Sequence, residues 1–302
     1  MNALPPELIF ETEGSTFARL CIDLTFYWRG SMYDRTSSLT EAYYRALAAV
    51  KGGIVYFETG TMAGVKKLKA DTLDTVPFWL QKAKRREDIF MMLLKGGPSV
   101  NEPSDLALQF FADEEEDPPA GAMSLSIPVV AAENPESIVT LMQEIADCAD
   151  FESGHCGYSM SWEPNADSAS DAEARMPGVA GRFPGVDLPK LNTTVLAIQR
   201  STAPGIKTVQ WLTLVGERIV ESVGGVARLR TLLPASVALH ELKNGLLIQA
   251  GAAPMIGDSN RAQKLTDVKA VGRALAGCRL MNHAPIFGTD DVMAEWLARF
   301  DK

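Results

Sequence analysis

Residues 17–28 alternate in part between apolar and polar positions and are rich in β-formers, which predicts a strand. An amphipathic helix is expected from about residue 39 to 50, with Ser38 or Thr40 as its cap. Further strands are predicted at 54–58, 89–95, 106–111 and 123–130, the last bounded by an Asn134-Pro135 helix start. A helix over 137–149 follows, carrying Ile138, Leu141, Met142 and Ile145 at helical spacing. Beyond it the pattern gives a strand at 156–162, a short helix at 170–175, strands at 194–199 and 210–215, and a strand at 246–250. Helices are expected at 225–232, 266–276 and 290–300.

Clusters of strands interrupted by helices favour an α+β fold, with a mixed, largely antiparallel sheet and flanking helices, over a doubly wound parallel one. A single domain over residues 1–302 is the expectation, any division into two halves falling near Phe151, and no internal repeat is visible.

Composition narrows the class. Of 302 residues, 46% are hydrophobic and 22% charged, which excludes disordered and fibrous chains and leaves enough apolar residues for a self-sufficient core. Cys21, Cys148, Cys156 and Cys278 are scattered without a CxxC pair, as expected of reduced core thiols in a cytosolic protein. The N-terminal residues lack a basic segment followed by an apolar one, and no apolar run approaches the roughly 20 residues that cross a bilayer. A soluble, cytoplasmic protein without membrane contact is therefore expected.

The net charge of −9 argues against a nucleic-acid binder, which needs Lys and Arg for phosphates. Its distribution is sharper. Residues 101–174 contain 17 Asp and Glu and no Lys or Arg, while the rest of the chain sums to +8. At the chain's average, a stretch of that length holds about seven basic residues. Within it Asp113, Glu114, Glu115, Glu116 and Asp117 run together ahead of Pro118-Pro119. Read blandly, this is a solvated loop; read functionally, it is a negative surface that steers a basic partner. A smaller basic patch precedes it, where Lys66, Lys67, Lys69, Lys82, Lys84, Arg85 and Arg86 punctuate a helical stretch with Leu68, Leu73, Val76, Trp79 and Leu80 as its apolar stripe.

Signatures of catalysis are sparse. His155, His240 and His283 are too few and too separated for a zinc site, so no metal and no cofactor is expected. Phosphate-loop, dinucleotide and nucleophile-elbow motifs are missing. His155-Cys156 invites a thiol nucleophile, but neighbours on a strand face opposite ways, so a distant His240 or His283 would have to serve as base. The pairs Gly52-Gly53, Gly96-Gly97 and Gly224-Gly225 read as element ends, and residues 257–261 as a tight turn or cap. The aromatic pairs Tyr27-Trp28, Tyr43-Tyr44 and Phe78-Trp79, with Trp211, read as core.

From residue 152 onward a set of motifs recurs in a familiar order: Ser153-Gly154-His155-Cys156-Gly157-Tyr158, then Arg182-Phe183-Pro184-Gly185-Val186-Asp187, then Ile206-Lys207-Thr208-Val209-Gln210-Trp211-Leu212-Thr213. Gly224-Gly225 and Leu247-Ile248-Gln249-Ala250-Gly251 follow, with Pro254, Gly257, Asp258 and Asn260. Together they resemble the type VI secretion immunity family, clearly in the C-terminal half and more loosely before it. The resemblance implies a cytoplasmic antidote that binds a cognate antibacterial effector, often a nuclease of restriction-endonuclease-like type with a basic cleft, and that has no catalytic residues. The matched Pro184-Gly185, Trp211 and Gly257-Asp258 then read as fold determinants. Asp113, Glu114, Glu115, Glu116, Asp117, Glu133 and Glu136 are the candidate toxin contacts, chosen on charge. The alternatives are a structural or accessory subunit of a secretion assembly and a cysteine-dependent hydrolase.

Overall fold

In the computed structural model, which describes residues 8–69, 72–74, 76–78, 88–162, 169–280 and 282–302, the chain begins with a short strand β1 (Ile9–Thr12) that turns back onto the long strand β2 (Ser15–Arg29). The strands β3 (Tyr56–Thr59), β4 (Lys66–Lys67), β5 (Ile89–Lys95), β6 (Ala107–Asp113) and β7 (Ala120–Ile127) follow. After them come β8 (Ser153–Trp162), β9 (Leu212–Gly216), β10 (Val237–Leu242) and β11 (Gly245–Ala250). They form one sheet in the order β10-β11-β9-β8-β2-β7-β6-β5-β3-β4, with β1 on β2, and every ladder is antiparallel. The expected α+β class with an antiparallel sheet is what the chain adopts.

Alternation along β2 sets the two faces. Leu20, Ile22, Leu24, Phe26 and Trp28 point one way into the main core, where α1 (Thr36–Val50) and α2 (Pro135–Ala146) pack over them. Each large apolar side chain so buried contributes about 1.5–3 kcal/mol. Met176 and Val179 of α3 (Ala169–Arg182) join the same core. Cys21, Asp23, Thr25 and Tyr27 point to the other face. There α4 (Leu191–Arg200) lies over β6 and β7, with Val195, Ala197 and Ile198 against Tyr27, Ala120 and Ala122. On the same face α5 (Glu217–Ser222), α6 (Gly225–Leu232) and α7 (Thr266–Ala274) cover β9 and β11 through Ile219, Leu229 and Val271. A last helix, α8 (Asp290–Leu297), returns Met293, Trp296 and Leu297 to the main core.

Several expectations are corrected. Residues 194–199 form helix, not strand: Thr194, Val195 and Ile198 are β-formers locally, but at spacings of one, three and four they share a helical face that packs on the sheet. The helix expected at 170–175 continues through Pro177 to Arg182, because Ala172, Met176, Val179 and Ala180 keep one face buried. Neither Ser38 nor Thr40 caps α1, which starts at Thr36 after a turn capped by Ser31, while the Ser38 hydroxyl donates to the Arg35 carbonyl. Lys66 and Lys67 form an edge strand rather than opening a helix, and most of the basic stretch after them lies outside the described residues. Strand β10 and helix α5 were not expected at all; β10 turns into β11 through a two-residue loop at 243–244. Of the three glycine pairs, Gly97, Gly224 and Gly225 take positive φ, whereas Gly52 and Gly53 do not.

Gly121 on β7 faces the Trp28 indole so closely that a Cβ would lie 2.2 Å from the ring. Gly121→Ala therefore forces the largest core side chain to move, and chemical denaturation should show a loss of about 1–3 kcal/mol. Gly52→Ala, where a Cβ meets nothing within 4 Å, should stay within about 0.5 kcal/mol.

Candidate functional site

The motifs of the C-terminal half converge on one buried junction. Beyond Cys156 the outer edge of β8 is free of β9, and residues 183–188 occupy it: Asp187 N donates to the Tyr158 carbonyl and Met160 N to the Asp187 carbonyl. Gly185 N donates to the Ile256 carbonyl, and a Cβ on Gly185 would fall 2.2 Å from the Met255 oxygen, so only glycine allows this approach. The Arg182 guanidinium donates to both oxygens of the buried Asp258, at 3.2 and 3.4 Å. Asp258 in turn caps the turn Ser259–Arg261 by accepting from Asn260 N. Trp211 Nε1 donates to the Gly251 carbonyl at 3.0 Å. Pro184-Gly185, Trp211 and Gly257-Asp258 thus hold loops together, as read from the sequence.

At the centre sits an ionic cluster, with Asp187, His155 and Lys207 each 2% exposed. Asp187 Oδ2 accepts from Lys207 Nζ at 2.7 Å and lies 3.1 Å from His155 Nε2, while Lys207 also donates to the Leu188 carbonyl at 3.0 Å. Burial disfavours the Asp187 anion, but Lys207 and His155 outweigh it and hold the carboxyl well below the usual carboxylate range. Burial draws Lys207 down from its ordinary value, opposed by Asp187. Arg299 stacks on Trp296 at 4.0 Å and donates to the Pro184 carbonyl; burial lowers its pKa to about 9. Nearby, His283 Nδ1 donates to the Ala284 carbonyl at 2.8 Å, which leaves Nε2 to accept from the Thr194 hydroxyl at 2.9 Å. Burial, with Lys207 adding to it, holds the His283 pKa at about 4, so the ring is neutral.

The cluster joins the 183–188 segment and Lys207 to β8, and the thiol and the other histidines stand apart from it. Cys156 is fully buried on the face opposite His155, and burial, then Asp23, then Cys21 push its thiol well above the ordinary value. His240 lies on β10, three strand spacings or about 14 Å from β8, and bonds Gln249 on the neighbouring β11. His283 is committed to Thr194 and Ala284. The four cysteines are free thiols, three of them buried. Among the described residues no group of His, Cys, Asp and Glu is arranged to hold a metal, and no helix is long and apolar enough to cross a membrane.

The seven candidate carboxylates are dispersed. Asp113 ends β6, where its Oδ1 accepts from Glu115 N at 3.1 Å. Glu114 turns inward: its carboxylate accepts from Ser31 Oγ at 2.5 Å and Met32 N at 2.8 Å, fixing the start of the turn before α1. Glu115, Glu116 and Asp117 are exposed on the loop that joins β6 to β7. Glu133 and Glu136 are exposed after the far end of β7, about 25 Å of strand away. Charge patterning missed a second acidic locus, a groove of about 460 Å³ on the Asp23 face of the sheet, lined also by Glu58 and Glu173. Its one legible signal was a carboxylate inside an otherwise buried strand.

Removing one partner of the buried pair leaves an uncompensated charge. Lys207→Met should cost about 3–5 kcal/mol in denaturant unfolding, and adding Asp187→Asn should recover part of it. The pH profile separates the two sites. His283 protonates near 6.5 when unfolded but only near 4 when folded, so its contribution is complete above pH 6.5 and falls by about 3 kcal/mol toward pH 4. The depressed Asp187 contributes above its ordinary value and is lost only below pH 4, as pH falls toward the folded value. Stability measured from pH 7 to 4 should slope downward in the wild type and flatten in His283→Gln.

Among solved structures, "Pseudomonas aeruginosa T6SS protein PA0821" is similar, with a TM-score of 0.82 and 22% identity over 96% of this chain and 84% of that one. At that identity the likeness is one of fold. No curated protein matches this chain. The family described as "TsiV: Type VI immunity for VRR-NUC" matches residues 39–300, which take in every motif of the junction as well as the acid run. This chain belongs to the TsiV family, type VI immunity for VRR-NUC.

Proposed function

We propose that the chain is a cytoplasmic antidote that binds a VRR-NUC effector in stoichiometric fashion and has no catalytic activity of its own. The effector is read as a DNase of restriction-endonuclease-like type, whose DNA-binding surface is rich in Lys and Arg because it neutralises phosphates. The observation that carries the mechanism is the hairpin loop between β6 and β7. Glu115, Glu116 and Asp117 stand exposed on it, in a 74-residue stretch free of Lys and Arg, while Asp113 and Glu114 brace the loop from below. Carboxylates held on a rigid tip complement a basic cleft and raise encounter rates. Glu133 and Glu136 lie too far away for the same contact and would touch only a partner that reaches around the sheet end.

The test is affinity for a catalytically inactivated effector. Reversing Glu115, Glu116 and Asp117 to Lys should weaken binding at least tenfold in low salt, and the deficit should shrink as salt rises past 0.15 M. Unchanged affinity with unchanged salt dependence rejects the loop as a contact.

A further inference from the structure

Alternation along β5 turns an apolar row away from the main core. Phe90, Met92 and Leu94 enter that core, so Ile89, Met91 and Leu93 point to the opposite face of the sheet. Helix α4 lies over the neighbouring β6 and β7 on this face, and beside it the row rises toward solvent. Leu93 is 9% exposed, Met91 is partly buried, and Ile89 is 50% exposed. Met91 and Leu93 line the groove of about 460 Å³ together with Phe111, Leu191 and Trp162, so its wall is largely apolar along this side.

The row ends at the acidic hairpin. Ile89 is opposite Asp113 in the β5-β6 ladder, and Glu114 N donates to the Asp88 carbonyl at 2.7 Å. The exposed end of β5 is thereby fastened to the foot of the loop on which Glu115, Glu116 and Asp117 stand exposed. From Ile89 to Leu93 the row runs about 13 Å along the strand. Apolar surface and solvent-facing carboxylates are therefore contiguous. Carboxylates on a loop tip speed encounter but bury little area, whereas a stable contact buries about 800 Å² on each partner, with an apolar centre inside a polar rim.

We propose that the outward row of β5, from Ile89 through Met91 into the groove beside Phe111, receives an apolar side chain of the VRR-NUC effector that neighbours the effector's basic DNA-binding surface. The inference rests on the reading of the chain as that effector's antidote and supplies the apolar centre of a contact whose charged rim is the hairpin loop. Charge complementarity selects the occupant, because any partner seated on this row also meets the adjoining carboxylates. A second copy is the wrong complement: a dimer through this face sets two acidic loops at one interface, where like charges repel.

The experiment is titration of the full-length chain with inactivated effector at low salt and at about 0.5 M salt, with thermal melting as the folding control. Ile89→Ser with Met91→Ser removes the apolar row without changing charge. It should weaken binding at least tenfold at both salt concentrations and make the heat-capacity change of binding less negative, since apolar burial is not screened by salt. Ile89→Ser alone, at a half-exposed position, should weaken binding at least threefold, and it decides the matter if the double variant does not fold. Affinity within twofold of wild type in the folded variant overturns the contact, and so does a deficit that disappears at high salt, because the effect then runs through the loop charges. Loss of self-association with effector binding intact overturns it too, the occupant then being a second copy. If the wild-type chain does not bind the effector at all, the antidote reading falls and takes this contact with it, a result distinct from a variant that keeps its affinity.

Discussion

Strand β2 has to satisfy two different environments at once, and the rest of the molecule is arranged around that constraint. It pairs with β8 from Ala18 to Tyr27 and with β7 from Ile22 to Arg29, so its backbone is bonded on both edges and cannot slip. One set of side chains, ending in Trp28, supplies the main core beneath α1 and α2. The other set is mixed: Tyr27 packs under α4, whereas Asp23 and Thr25 form a polar patch with serines from β7. A one-residue shift would bring Asp23 into the core and Trp28 onto the polar face. Gly121, which leaves room for the Trp28 ring, enforces the same register from the neighbouring strand.

Charge plays two separate roles. Inside, Asp187 and Lys207 neutralise each other and knit the loops of the C-terminal half to the free edge of β8. Desolvation offsets most of the attraction within such a pair, while removing either partner strands a buried charge. Outside, Glu115, Glu116 and Asp117 stand exposed on the loop between β6 and β7. The buried junction ties strands and loops together, while the loop carboxylates face solvent.

Much of the architecture was legible along the chain. Residues 89–95 and 225–232 match β5 and α6 to the residue, because each has one periodicity and clean boundaries. The strand at 17–28, the helix start at Pro135 and the turn at 257–261 also followed from local chemistry. Residues 194–199 did not: their β-branched content pulled toward strand, and the contact with Tyr27, Ala120 and Ala122 that makes them helical lies more than seventy residues away in sequence.

What the chain determined by itself was its class, its excess of acid and the stretch from which basic residues are excluded, all properties of composition and order. Tertiary structure alone decided which acids face outward. Glu114 is spent on Ser31 and Met32, and Glu133 is carried to the opposite end of β7. Asp23, a lone carboxylate among apolar neighbours in sequence, comes to line a groove only when β2, β7, β6, β5 and β3 are laid side by side. Side-chain direction in a sheet follows from register between distant strands, and no single strand contains that register.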